Sequence, residues 1–438
     1  MHCEFKDMKP LTKALSTATL VFATGITAHA ASDASAWVAS WTAAPQPVWS
    51  ADFLFPTNVP AELNHQTVRQ TARISLGGKR LRVVLSNSYG KQPLVLGKAT
   101  VATPAEGGSV VASSVRTLTF DGSESATILP GASLVSDPVA MTVPALSQLA
   151  VSLYVPGPTP VASFHWDGRQ TSWIVEGDQT AAQQLRIQNP ETQSTTARPW
   201  LAGIQVESEQ PARAVAVLGD SITDGATASL DKDTRWPDLL AARLAPHGVS
   251  VINAGISGAR LLADGMGVNA LARLDRDVLS QPGVRSVIVL LGINDISWAG
   301  TAFGRDEQRP TFAALTAGYR QLITQAHSRG VRVIGGTLTP FEGALPGTPL
   351  DDYYQPDKNA LREQVNEWIR HSGAFDAVID FDAALRDPAH PHKMAQTFDS
   401  GDHLHPGDEG NRAMADVVNL GDVLPGLNGV SMKKNVRN

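Results

Sequence analysis

The stretch Ala214-Val215-Ala216-Val217-Leu218-Gly219-Asp220-Ser221-Ile222-Thr223-Asp224-Gly225 passes from a continuous apolar run straight into a polar turn. A short, β-branched run of this kind reads as a strand buried on both faces, as in parallel sheets covered by helices. Ligands gather at the carboxyl ends of such strands, so Ser221 stands where a nucleophile would stand. Serine is also a common turn residue, and its reading therefore depends on partners elsewhere in the chain.

Asp402-His403-Leu404-His405-Pro406 supplies them, on a Gly-rich loop that runs into a helical pattern over 409–418. A serine hydroxyl becomes a good nucleophile only when a neutral imidazole takes its proton, and that imidazole needs a carboxylate to fix its tautomer. Ser221, His405 and Asp402 meet these requirements. Donors for a developing oxyanion are the remaining need. Two more apolar runs end in Gly/Asn turns: Val249-Ser250-Val251-Ile252 before Asn253-Ala254-Gly255-Ile256-Ser257-Gly258, and Val287-Ile288-Val289-Leu290-Leu291 before Gly292-Ile293-Asn294-Asp295. A Gly N–H approaches a ligand unhindered, and an Asn amide donates from the adjacent strand end.

With these blocks in order over about half of the chain, the sequence resembles an SGNH hydrolase of the GDSL esterase family. The resemblance implies Ser221 as nucleophile and, through its N–H, one oxyanion donor, with Gly255 and Asn294 as the others and Asp402 and His405 completing a triad. No cofactor and no metal are expected. The resemblance also implies a flavodoxin-like three-layer α/β/α domain. The residues agree: 311–328 and 356–370 read as helices and 331–334 and 377–379 as strands, an alternation that gives right-handed crossovers and a parallel sheet.

Rival readings are few. Gly255-Ile256-Ser257-Gly258-Ala259 comes one residue short of the Gly-x-Ser-x-Gly nucleophile elbow, and leaves the other blocks without a role, so Ser257 is read as a turn serine. His390, His392, His403 and His405 with Asp402 concentrate metal-ligand types, but nothing in their spacing makes them converge; His390 and His392 are read as solvated and the role of His403 stays open. Asp220 and Asp295 are read as turn-shaping acceptors and Asp380 and Asp382 as caps outside the site. Arg260 and Trp298 are read first as packing residues and second as cleft lining.

The chain of 438 residues opens with Lys6, Lys9 and Lys13, an apolar run over 14–28 and Ala28-His29-Ala30, the pattern of a signal peptide over 1–30, with Met1 or Met8 as its start. Its one cysteine, Cys3, lies within that segment, so the expected location is periplasmic or secreted without disulfides. A formal net charge of −6, with 18% charged residues, carries no basic excess and argues against nucleic acid as a partner. No run is apolar enough for stable membrane insertion.

Before 207 the pattern changes to short alternating strands. Thr67 to Leu76 alternates, Gly77-Gly78 turns, and Leu81, Val83 and Leu85 continue the apolar face, a hairpin signature; Leu149, Val151, Leu153 and Val155 alternate again. The expected organisation is an all-β sandwich, jelly-roll-like, over 36–206, a linker over 207–212, the hydrolase domain over 213–425 and a tail over 426–438. Six tryptophans, Trp37, Trp41, Trp49, Trp166, Trp173 and Trp200, precede the linker and are read as packing first and as sugar-stacking surfaces second. Phe164-His165-Trp166-Asp167 has a further reading, as a loop reaching over the cleft.

The opening Trp37-Val38-Ala39-Ser40-Trp41-Thr42-Ala43-Ala44-Pro45-Gln46 is similar to a two-domain bacterial branch related to acetylxylan esterases. The expected function is an exported serine esterase that hydrolyses small-molecule or polysaccharide esters through an acyl-enzyme, acetyl on carbohydrate foremost. The alternatives are a lipase or arylesterase, and a carbohydrate-binding or adhesion protein with an inactive hydrolase domain. No long apolar lid segment is read, and the oligomeric state is left open.

Overall fold

Five parallel strands form the sheet that carries the decisive stretch, in the order Val249–Gly255, Arg213–Gly219, Val284–Leu290, Arg332–Gly336, Ala377–Ile379. This is the 2-1-3-4-5 order of flavodoxin-like sheets, whose ligand crevice opens where neighbouring crossovers diverge, beyond the first strand. Val215, Ala216, Val217 and Leu218 are fully buried, because helices cover both faces. The helices pack in two groups: Trp236–Leu244 against Asp408–Val417, and Phe312–Ser328 against Pro356–His371. Thr311 caps Phe312–Ser328, its hydroxyl accepting from Ala314 N–H, and Pro356 occupies the first turn of its helix, where its missing N–H costs nothing.

The computed structural model describes residues 36–208 and 213–425. The signal segment with Cys3, residues 209–212 of the expected linker and the C-terminal tail lie outside the described residues. The strand Leu201–Ser208 continues two residues into that linker.

Residues 36–208 build antiparallel sheets. One has six strands, with Gln66–Arg73 and Gln148–Val155 paired over their full length at its centre. Another holds Ala36–Thr42, Leu201–Ser208 and Gly78–Ser86 side by side. The hairpin expected across Gly77-Gly78 does not form: Gln66–Arg73 belongs to the first of these sheets and Gly78–Ser86 to the second. Alternation identifies which face of a strand is buried, here Val68 and Ala72 in one sheet and Leu81, Val83 and Leu85 in the other, but two sheets sharing one interior satisfy it as well as one hairpin does. The chain crosses between them at Ile74 to Gly77, where a Cβ on Gly77 would stand 2.1 Å from Val143 O.

All described residues belong to one compact unit. Ala39 N–H donates to Pro282 O (2.9 Å), Ser75 Oγ to Val251 O (2.6 Å) and Thr42 Oγ1 to Asn253 O (2.9 Å), so the antiparallel part sits against the edge strand Val249–Gly255.

Candidate active site

At the end of Arg213–Gly219 the chain turns into a four-residue helix, Ser221–Asp224, which Asp220 caps by accepting from Ile222 N–H at 3.0 Å. A helix of one turn leaves its first amides without intrahelical acceptors. Ser221 N–H is one of these, and it donates to nothing among the described residues. Gly225, at φ +101°, ends the turn in a conformation that favours glycine.

His405 Nε2 lies 2.8 Å from Ser221 Oγ, and its Nδ1 lies 2.6 Å from Asp402 Oδ2. The other oxygen of Asp402 accepts from Leu404 N–H (3.0 Å) and His405 N–H (2.8 Å), which wraps the loop around its carboxylate and aims the ring. Burial pushes the Asp402 carboxyl up, but the hydrogen bond and charge of His405 and the two amides outweigh it and hold the group well below the usual carboxylate range. Ser221, 184 positions before His405, is thus joined with His405 and Asp402 in one hydrogen-bonded line. That line can move a proton from a hydroxyl to an imidazole and back.

Asn294 lies in the first turn of the short helix Ile293–Ser297. Its Oδ1 accepts from Trp298 Nε1 (2.9 Å) and Tyr353 OH (2.7 Å), so the amide orientation is set by its partners. Nδ2 donates one proton to Ala259 O at 3.0 Å and keeps the other for the cavity that Asn294 lines with Ser221 and His405.

Gly255 does not stand at this cavity. It is still a strand residue, paired with Gly219, and its N–H is taken by Asn253 Oδ1 at 2.8 Å. What needs glycine there is the backbone of the nucleophile turn, since a Cβ on Gly255 would stand 2.5 Å from Asp224 N. The turn that reaches the cavity comes three residues later, at Gly258. Gly258 has φ +72°, a Cβ on it would stand 2.7 Å from Met266 Sδ, and its N–H donates to nothing among the described residues. The strand runs three residues beyond Ile252, the end of its apolar run, and so takes in Gly255.

Ser257 also lines the cavity, but its Oγ donates to Asp224 Oδ2 (2.8 Å), as does its N–H (2.9 Å), and no imidazole reaches it. The same carboxylate meets His165 Nε2 at 2.9 Å through Oδ1, while His165 Nδ1 faces Ala44 O at 3.1 Å. A buried histidine of the antiparallel part therefore braces the two turns that bear Ser221 and Gly258. Nothing in the sequence around His165 announces that pairing, because its partner lies 59 positions away.

Asp220 is fully buried, and its Oδ2 has no hydrogen-bond partner among the described residues. Burial raises its carboxyl to about 7, and Asp295, whose oxygens accept from Leu261 N–H and Leu262 N–H, is raised to about 6 by the same cause. For Asp220 the folded state holds its proton more tightly than the unfolded chain, so its contribution to stability is full below about pH 4 and is lost as pH rises towards 7. Asp220→Asn keeps an acceptor for Ile222 N–H and removes this dependence. Urea unfolding across that range is expected to give a flatter stability profile for the variant than for the wild type.

His390 and His392 are exposed, His392 meeting Asn359 and Glu363, and the His403 ring is held by Asp399. Among the described residues no group of three or more His, Cys, Asp or Glu could hold a metal ion. Asp380 caps Phe381–Leu385, accepting from Ala383 N–H at 3.0 Å. Arg260 lies behind Trp298, its guanidinium 4.6 Å from the ring centroid, and Trp298 alone of the two lines the cavity.

The cavity measures about 310 Å³. The hydrolase part contributes Trp298, Phe303 and Tyr353 to its wall, and the antiparallel part contributes Phe55 and Trp166. Phe53 stacks on Phe303 (5.5 Å between centroids) and Phe55 on Trp166 (5.6 Å), so the segment 49–56 forms an aromatic cover that was not read from the sequence. Its signal was the density of Trp49, Phe53, Leu54 and Phe55 in a loop without strand periodicity.

Residues 215–418 match the family described as GDSL-like Lipase/Acylhydrolase. The chain is similar in structure to the aryl esterase of M. Smegmatis (19% identity, covering 47% of this chain and 95% of that one, TM-score 0.38). It is also similar to an acetyl xylan esterase, AlAXEase (22% identity, 47% and 96%, TM-score 0.33), and to a GDSL-like lipase from Bacteroides thetaiotaomicron VPI-5482 (18%, 48% and 87%, TM-score 0.35). No curated protein matches the chain. Among the described residues no helix is long and apolar enough to cross a membrane. Residues 215–418 thus carry a GDSL-like lipase/acylhydrolase domain of the SGNH hydrolase type, a serine hydrolase of carboxylic esters.

Proposed function

We propose that the protein is an exported esterase that removes short acyl groups, acetyl foremost, from carbohydrate hydroxyls. Ser221 is the nucleophile, His405 the proton carrier and Asp402 its orienter. Ser221 N–H, Gly258 N–H and the free Asn294 amide proton bind the oxyanion. The β-sandwich over 36–206 acts as an accessory domain that supplies one wall of the cavity.

The observation that carries the reading is that wall. A cavity of about 310 Å³ is at the small end for ligand sites, roughly 300–1,000 Å³, and suits a short acyl group beside one ring better than a long alkyl chain. Aromatic faces such as Trp166 suit the apolar faces of sugar rings. Ser221 Oγ attacks the ester carbonyl as its proton passes to His405 Nε2, and the carbonyl oxygen takes up negative charge against the three donors. His405 then returns the proton to the departing alcohol. Water repeats the sequence on the acyl-enzyme, releasing the acid and restoring Ser221.

The same aromatic lining favours a second reading, an aryl or lipid esterase. Acetate release from acetylated xylan, compared with hydrolysis of 4-nitrophenyl esters from acetyl to decanoyl, decides between them. Turnover of aryl or long-chain esters far above any acetylated glycan would overturn the first reading. Export is tested by fractionating cells that express the full chain; product held in the cytoplasm would count against it.

Asn294→Ala is expected to lower kcat by roughly 10²–10³ with KM little changed. Steady-state kinetics on 4-nitrophenyl acetate check this. An effect under threefold would remove Asn294 from the oxyanion site.

A further inference from the structure

We propose that a second cavity, of about 230 Å³ between the antiparallel part and the 226–234 loop, is a subsite for an uncharged sugar ring of the substrate chain. Trp173, Gln148, Gln170, Thr171 and Asp231 form its working surface. The inference rests on the carbohydrate reading above and names where the rest of that carbohydrate lies.

Its polar groups are already oriented. Asp233 accepts from Gln148 Nε2 (2.8 Å) and from Gln170 Nε2 (2.6 Å). A carboxylate accepts only, so both amides are fixed with Oε1 turned away from it, and neither Oε1 meets a donor among the described residues. Asp231 is held by Thr171 N–H (2.6 Å) and Thr171 Oγ1 (2.7 Å) and keeps lone pairs to accept more. Such a set receives hydroxyl protons. Trp173 is half-buried, and a Cβ on Gly108 would stand 2.7 Å from its Cδ1, so the 104–109 loop lies against the indole only because Gly108 has no side chain. The indole adds an apolar face and, at Nε1, a donor.

The lining also says what the ligand is not. Arg69 and Asp231 are its one cation and one anion, and the Arg69 guanidinium is engaged by Ser152 Oγ and the carbonyls of Gly108, Gln179 and Ala182. A balanced lining gives a phosphate or a carboxylate no advantage over a neutral polyol.

Two segments connect this cavity to Ser221. Trp166 and Asp167 line the catalytic cavity, and Gln170, Thr171 and Trp173 line the second. From Asp167 to Thr171 is at most about 14 Å at full extension. On the other side Ala226 and Thr227 line the first cavity and Asp231 the second. That loop holds Thr227, Asp231 and Asp233 at φ +68°, +60° and +53°, in the left-handed region that such residues seldom adopt. Asp408 anchors it through Ser229 N–H (3.0 Å) and Thr234 Oγ1 (2.7 Å). The geometry is that of a short track carrying a chain whose ester sits at Ser221.

The test uses the full chain. Trp173→Ala and, separately, Asp231→Asn are assayed on acetylated xylohexaose and on 4-nitrophenyl acetate, and xylohexaose, cellohexaose and mannohexaose are titrated calorimetrically into Ser221→Ala. The expected result is a KM for the acetylated hexasaccharide raised about tenfold in each variant, with kcat/KM for 4-nitrophenyl acetate unchanged and Trp173→Phe restoring much of the loss. Equal kinetics of wild type and both variants on a glycan that the wild type deacetylates would overturn the subsite and leave the carbohydrate reading standing. Failure to deacetylate any glycan, with no hexasaccharide binding, would overturn both. Should Trp173→Ala not fold, Asp231→Asn and Trp173→Phe carry the same comparison.

Discussion

Ser221→Ala is expected to lower kcat for ester hydrolysis on the order of 10⁶-fold, the scale on which triad nucleophiles act. Alanine removes the one oxygen that lies 2.8 Å from His405 Nε2 and leaves the rest of the line intact, because His405 is held by Asp402 and not by Ser221. The protein should therefore fold and bind substrate as the wild type does. A residual acceleration of about 10³–10⁴ over water is expected from the oxyanion donors and binding. Pre-steady-state release of 4-nitrophenolate checks the acylation itself: where deacylation limits turnover, the wild type gives a burst equal to the enzyme concentration and the variant gives none. A burst that survives the substitution would mean that another group is acylated.

The second large effect is expected of Asp402→Asn, about 10⁴-fold in kcat with little change in KM. The carboxylate receives His405 Nδ1–H, which leaves Nε2 unprotonated and able to accept from Ser221. An amide in its place keeps an acceptor for Leu404 N–H and His405 N–H through its oxygen and turns its NH2 towards Nδ1. The imidazole is then held in the tautomer that carries its proton on Nε2, where it cannot take another. The pH dependence has a definite sign. The carboxyl of Asp402 is held below its ordinary range, so the stability it contributes is present above about pH 4 and is lost only as pH falls further. Asp402→Asn should remove that acidic loss, visible in unfolding curves below pH 4, whatever it does to the rate.

Legibility followed the range of the interaction. The strands 214–218 and 377–379 and the helix over 356–370 could be read because each is specified by its own residues, through short apolar β-branched runs or an apolar stripe behind a Pro start. The hydrogen-bonded line of Ser221, His405 and Asp402 could be read because Gly-Asp-Ser and Asp-x-x-His are local patterns, and ester chemistry of this kind would require that they meet. Gly255 was misplaced for a local reason as well: both Gly255 and Gly258 follow an apolar run, and only the pairing of Gly255 with Gly219 shows that the strand has not yet ended. The hairpin at Gly77-Gly78 failed in the same manner, since period-two alternation is blind to which strand lies alongside.

What no local pattern carried is the meeting of the two parts of the chain. The aromatic wall from Phe55 and Trp166, the brace of His165 on Asp224 and the second cavity at Trp173 each join residues of the antiparallel part to the hydrolase part. By itself the sequence determined the class of chemistry, a serine esterase on a parallel α/β sheet, because nucleophile, base and orienter are residue types that the reaction cannot replace. The tertiary structure decided which glycine reaches the cavity beside Ser221 and which side chains wall it. Those depend on where a strand stops and on which side chains a distant segment presses against the cavity, and packing, which acts between residues far apart in the chain, settles both.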